Sequence, residues 1–122
     1  METTAHILVI DDDYNFRRSL VIQFELEGYQ VTEVQDAMEA FEYFTRCETG
    51  GAFPDIVITD MKMPKLRGEE FVPQLHRKYP GIPVIVISAF DLPQELAGYP
   101  FLRKPFKIQK MMEVVSQTVV KP

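Results

Sequence analysis

At 122 residues, with 46% hydrophobic and 25% charged side chains, the chain has the composition of one soluble globular domain. A domain of that size buries roughly two thirds of its unfolded surface without help from metals or disulfides. A net charge of -5 gives no basic face for nucleic acid or an anionic membrane, and a single cysteine, Cys47, fits packing in a reducing compartment rather than redox chemistry. The start of the chain is polar and acidic, unlike a secretory signal, and no apolar run reaches membrane-spanning length. A cytoplasmic location and a single unit over residues 1–122 are therefore expected.

His6 to Ile10 is a short apolar run closed by Asp11-Asp12-Asp13, the pattern of a buried strand followed by a helix start. The helix is predicted from about Tyr14 to Glu27, with Phe16, Leu20 and Phe24 on one face and Gly28 as its stop. Gln30 to Val34 alternates polar and apolar residues, as an edge strand does. Asp36 is placed to cap a second helix through about Cys47, with Met38, Phe41 and either Tyr43 or Phe44 turned inward. After Thr49-Gly50-Gly51, the run following Pro54 reads as a strand buried on both faces that delivers Asp60 to its end. Met61 to Gly68, with Pro64 inside it, cannot continue that strand and forms a loop.

A helical pattern from Gly68 to Tyr79 buries Phe71, Val72 and Leu75. Pro73 belongs in the first turn of a helix, which places the start near Arg67 or Glu69. Pro80-Gly81 is a turn, and Pro83 to Ser88 is the most strongly β-branched run in the chain, hence a central strand. Ala89 to Gly98 has room only for a turn or two of helix, about Pro93 to Ala97. Phe101 to Lys104 is a short last strand that Pro105 breaks, and Lys107 to Val120 forms the final helix with Ile108, Met111, Met112 and Val115 inward. Strands alternating with helices at this spacing predict a doubly wound α/β fold, a five-stranded parallel sheet in the order 2-1-3-4-5. Its switch point lies between the first and third strands.

On that topology Asp11, Asp12, Asp60, Ser88 and Lys104 all fall on the carboxyl edge of the sheet. Any one of them alone is a helix cap, a strand-end residue or a solvated charge. Together they form a crevice in which carboxylates repel, at roughly 4 kcal/mol per pair for a separation of about 4 Å and an effective dielectric near 20. A cation must offset this. All-oxygen donors without His or Cys point to a hard ion, Mg2+ rather than Ca2+, with Lys104 as a point charge for a phosphate oxygen and Ser88 as a donor to another. A carboxylate beside a metal, a lysine and a hydroxyl is suited to taking a phosphoryl group.

The residues also resemble those of a known family. Val9-Ile10-Asp11-Asp12, Asp60-Met61-Lys62-Met63-Pro64 with Gly68, Ile87-Ser88-Ala89 and Lys104-Pro105-Phe106 are similar in kind and order to the motifs of the receiver domains of two-component response regulators, which have a flavodoxin-like fold. The resemblance implies that Asp60 is the phosphoacceptor. It also implies that Asp11, Asp12, Asp60 and the backbone carbonyl of Lys62 hold Mg2+, and that Ser88 and Lys104 contact the phosphoryl group. The donor would be a phosphohistidine on a histidine kinase or histidine phosphotransfer protein, with His6 and His76 left as ordinary strand and helix residues. A receiver of this kind catalyses its own phosphoryl transfer and slow autodephosphorylation, and passes the signal to an output protein. The resemblance further implies a cis Lys104–Pro105 bond and a switch pair of Ser88 and Phe101.

Fifteen residues separate Ser88 from Lys104, fewer than the family's usual spacing, so the helix after the fourth strand should be short or missing. Lys62 and Phe90 should flank the path of an attacking water. Two other readings use the same residues. Asp11-x-Asp13 after the first strand is similar to the nucleophile motif of haloacid dehalogenase-type phosphohydrolases, and a receiver-like module could bind partners without phosphate. An EF-hand loop fails, because Phe16 and Ile22 stand where it needs Gly and Glu.

Overall fold

The computed structural model describes residues 5–119. Strands β1 (His6–Ile10), β2 (Gln30–Val34), β3 (Ile56–Asp60), β4 (Val84–Ser88) and β5 (Phe101–Arg103) form one parallel sheet in the order β2-β1-β3-β4-β5. Helices α1 (Tyr14–Leu26), α2 (Ala37–Glu48), α3 (Gly68–Lys78) and α4 (Ile108–Thr118) cover its two faces. The expected order of strands is thus the observed one, and Asp60 pairs in register with Ile87 of β4.

Strand side chains point alternately to opposite faces, so each central strand divides its apolar residues between two cores. Ile7, Val9, Ile56, Ile58, Ile85, Ile87 and Leu102 pack with Leu20, Val21 and Phe24 of α1 and Met111 and Val115 of α4. Leu8, Ile10, Val57, Val84 and Val86 pack with Phe44 of α2, Phe71, Val72 and Leu75 of α3, and Leu96. Phe24, Phe44 and Phe71 are wholly buried, each worth about 1.5–3 kcal/mol over the exposed side chain. Asp13 and Asp36 cap α1 and α2, accepting from the N–H groups of Phe16 and Glu39.

Two local expectations need correction. Met38 is half exposed; α2 turns Phe44 inward and packs Phe41 partly buried on the same core, as expected, but Ala37, Ala40 and Cys47 take the buried places beside them. The two alanines allow the helix to lie close on the sheet, which a phase that buried Met38 would prevent. Pro73 stands in the second turn of α3, beyond the first-turn position expected for it, although the start after Arg67 is as expected. It removes only the N–H that would meet the Glu69 carbonyl, and burial of Phe71, Val72 and Leu75 on the same helix holds the segment helical. The last helix runs from Ile108 to Thr118; Val120, its expected end, lies outside the described residues. Between β4 and β5 the structure has a single 3-10 turn, Gln94–Leu96, as the short spacing requires.

Candidate functional site

Where β1 and β3 end, their last apolar residues give way to charge. The Asp11 N–H donates to the Val34 carbonyl (3.2 Å), and Arg17 Nη1 donates to the Asp11 carbonyl (2.8 Å). Arg17 also bonds Glu33 on β2 (2.8 Å), as does Arg18, so α1 is tied to the sheet at this edge. The Asp11 side chain is fully buried, with Oδ1 accepting from the Asp13 N–H (2.9 Å) and Oδ2 from the Lys104 ammonium (2.8 Å). Both oxygens of Asp11 are therefore engaged.

Asp60 is buried at the tip of β3, with Oδ1 accepting from the Met61 N–H (2.7 Å) and Oδ2 3.5 Å from the Lys104 ammonium. Burial, and then the charge of Asp11, push its pKa above the usual carboxylate value; Lys104 and the N–H groups of Met61 and Lys62 offset part of this. Carboxylate oxygens of Asp11, Asp60 and the exposed Asp12 all lie within 4.8 Å of one another. This donor set is entirely hard oxygen with an excess of negative charge, and it fits a divalent cation such as Mg2+.

The loop after Asp60 is anchored from below. Met61 and Met63 bury themselves in the core beside α2 and α3. Pro64 to Leu66 closes a tight turn, with the Leu66 N–H on the Pro64 carbonyl (2.8 Å) and Lys65 at a φ of 75°. Gly68 then starts α3 against the loop, its N–H on the Met61 carbonyl (2.8 Å). A Cβ on Gly68 would lie 2.7 Å from the Met61 Cα, so this close approach requires glycine.

Lys104 follows β5, its N–H on the Ser88 carbonyl (2.7 Å), and the Lys104–Pro105 bond is cis, as the resemblance implied. Its ammonium lies 4.1 Å from the centre of the Phe16 ring, a contact the sequence reading did not foresee. Ser88 ends β4 on the same edge, buried, its hydroxyl accepting from the Phe90 N–H (2.9 Å). Strand alternation places it with Val84 and Val86 on the α2/α3 face. Phe101, half-buried and paired with Val86, packs on that face as well. Lys62 and Phe90 also meet, the ammonium 4.5 Å from the ring centre, with Phe90 largely exposed. The structure thus gathers Asp11, Asp12, Asp60 and Lys104 directly, with Ser88 and Phe101 together on the adjoining face.

Residues 7–116 match the family described as the response regulator receiver domain. The chain belongs to that family. It is 31% identical over 124 residues to the C4-dicarboxylate transport transcriptional regulatory protein DctD of Pseudomonas aeruginosa, covering 97% of this chain and 26% of that one. To the response regulator MprA of a Mycobacterium species it is 33% identical over 114 residues, covering 88% and 47%. The chain thus spans from a quarter to about half the length of these curated relatives. Among solved structures, a response regulator receiver domain protein from Clostridium thermocellum superposes with a TM-score of 0.81 at 29% identity, covering 94% of each chain. The response regulator TrrA of Thermotoga maritima, solved in complex with Mg2+-BeF, gives 0.82 at 24% identity over 94% of this chain and 99% of that one, a likeness of fold. Among the described residues, no helix is long and apolar enough to cross a membrane.

Proposed function

We propose that this chain is a phosphorylation-dependent signalling receiver that takes a phosphoryl group from a phosphohistidine onto Asp60 and thereby changes what it binds. The observation that carries this reading is the buried Asp60 carboxylate, raised in pKa, beside two further acids and the Lys104 ammonium at the carboxyl edge of a receiver sheet. The geometry supports a simple division of labour. An Asp60 oxygen forms a bond to phosphorus as the donor's P–N bond breaks; the electron pair of that bond goes to the imidazole nitrogen, and Asp60 becomes an acyl phosphate. With Oδ1 held by the Met61 N–H, the carboxylate is fixed in orientation and Oδ2 is the oxygen nearer to Lys104.

Asp11, Asp12, Asp60 and the backbone carbonyl of Lys62 would hold Mg2+, which supplies the positive charge that keeps Asp60 ionised and polarises the phosphoryl oxygens. Lys104 offers its ammonium to one phosphoryl oxygen. Ser88, which uses its oxygen to accept from Phe90, still has its O–H to give to another. Drawing Ser88 toward the phosphoryl group vacates space on the α2/α3 face, into which Phe101 turns. The response is a shift between two packings close in energy. Water later hydrolyses the acyl phosphate slowly, and the Lys62–Phe90 pair stands beside its path.

The donor in this reading is a histidine kinase or histidine phosphotransfer protein, in the cytoplasm, and the output is a protein partner or a further domain rather than nucleic acid bound by this unit itself. Incubation with Mg2+ and acetyl phosphate, followed by intact mass measurement, tests the chemistry without a cognate kinase. One Mg2+-dependent phosphoryl group per chain is expected, abolished by Asp60→Asn. Label lost through Asp11→Asn while Asp60→Asn still labels would refute the assignment, and a wild type that takes no label would favour a phosphate-independent module.

A further inference from the structure

The Phe16–Lys104 contact closes a ring of interactions around the site. Asp11 Oδ1 accepts from the Asp13 N–H (2.9 Å), and Asp13 Oδ1 accepts from the Phe16 N–H (3.1 Å). The Phe16 ring carries the Lys104 ammonium at 4.1 Å, and that ammonium returns to Asp11 Oδ2 at 2.8 Å. Phe16 is thus set by the cap of α1, which is itself set by Asp11. The same ring also meets Phe106, the two rings lying edge to face at 5.9 Å and 88°. One aromatic side chain therefore touches the lysine and the second residue after it.

A lysine side chain has four rotatable bonds and a compact charge, so placing its ammonium within reach of Asp60 costs conformational entropy unless something besides the carboxylates holds it. The carboxylates are poor anchors for this purpose. Any cation bound to Asp11 and Asp60 competes with Lys104 for their charge, whereas an aromatic face attracts the ammonium independently of that competition. We propose that Phe16 is a positioning residue for Lys104: its ring face holds the ammonium at the mouth of the site while Asp11 and Asp60 are engaged elsewhere, so that Lys104 is poised for the phosphoryl oxygens. The inference rests on the assignment of Asp60 as phosphoacceptor and extends it to a residue on α1.

The test uses the full chain with acetyl phosphate and Mg2+. Phe16→Leu keeps an apolar side chain and removes the ring; its second-order rate constant for labelling should fall about threefold to tenfold, as loss of a partly screened cation–π contact implies. A series with mono-, di- and trifluorinated phenylalanine at position 16 retains the shape of the ring and drains its face of negative charge. Stepwise slowing along that series is expected, which a purely packing role would not produce. In the same samples the Lys104 side-chain methylene protons should be shifted upfield by the ring in the wild type, and lose that shift in Phe16→Leu. A wild type that labels on Asp60 with a flat fluorine series, or a Phe16→Leu chain as fast as wild type, overturns the positioning role alone. A wild type that takes no label overturns the phosphoacceptor assignment, and this proposal with it, even if the proton shift is present.

Discussion

At the amino ends of the neighbouring strands β1 and β3, an acid meets groups that satisfy it. Asp55 Oδ2 accepts from the His6 N–H at 2.7 Å, and the Asp55 N–H donates to the His6 carbonyl, also at 2.7 Å. At the carboxyl ends of the same two strands, Asp11 and Asp60 are both buried and stand beside each other, with one lysine shared between them. The first arrangement closes a sheet edge with local hydrogen bonds. The second keeps an excess of negative charge that the surrounding fold makes tolerable and that a bound cation would relieve. The proposed site is recognisable here as negative charge that its one lysine does not balance, although each buried oxygen has a partner.

The largest way to break the contrast is to move the scaffold under the charged end. Gly68→Ala would set a Cβ 2.7 Å from the Met61 Cα and 3.1 Å from two atoms of its side chain, where backbone cannot yield cheaply. A loss of about 1–3 kcal/mol in urea unfolding is expected, the usual range for overpacking. The same shift would disturb the Met61 N–H that orients Asp60, so labelling by acetyl phosphate should slow as well.

Asp60→Asn sharpens the contrast from the other direction. Asparagine keeps an acceptor for the Met61 N–H and removes both the buried charge and its repulsion with Asp11. Because folding raises the Asp60 pKa, its contribution to stability is present in acid and lost as pH rises from the ordinary carboxylate value through the raised one. The metal-free variant should therefore match wild type in acid and exceed it at neutral pH. The gain comes first from no longer burying a charge and then from the lost repulsion with Asp11, less the lost attraction to Lys104. Mg2+ should narrow the gap by stabilising the wild type more strongly than the variant. A variant no more stable than wild type at neutral pH without metal would mean that Lys104 already neutralises the site.

Much of this was legible in the sequence because the central strands are short apolar runs that end on a polar or charged residue. Ile7 to Ile10, Ile56 to Thr59 and Val84 to Ile87 each stop at one of the proposed site residues, and parallel topology brings those stops to one edge. The short segment before β5 followed from counting its residues against the spacing usual in the family. Helix phase was less legible: size favoured Met38, but close packing selected Ala37 and Ala40. Pro73 was misplaced because local propensity cannot weigh the burial of Phe71 and Leu75. The Phe16 contact with Lys104 left no local trace, since Phe16 reads as an ordinary inward residue of α1 until the chain has folded.

The smallest expected effect lies at the satisfied end. Burial pushes the His6 ring below its usual pKa of 6.5, with the Asp55 charge opposing, and its Nε2 lies 2.8 Å from Thr32 Oγ1. The fold thus disfavours the charged ring, so the His6 contribution is fully present above 6.5 and is lost as pH falls from there through the lowered value. This is opposite in sign to Asp60. The slope should stay well under about 1.4 kcal/mol per pH unit, the ceiling for one proton, since the ring is only partly buried. His6→Gln, which keeps a polar tip for Thr32 and cannot titrate, should flatten the acid-side fall in thermal stability over that window and leave phosphorylation unchanged. If the fall persists unaltered in His6→Gln, the amino end is electrostatically silent, and acid sensitivity in this range belongs to other groups of the chain.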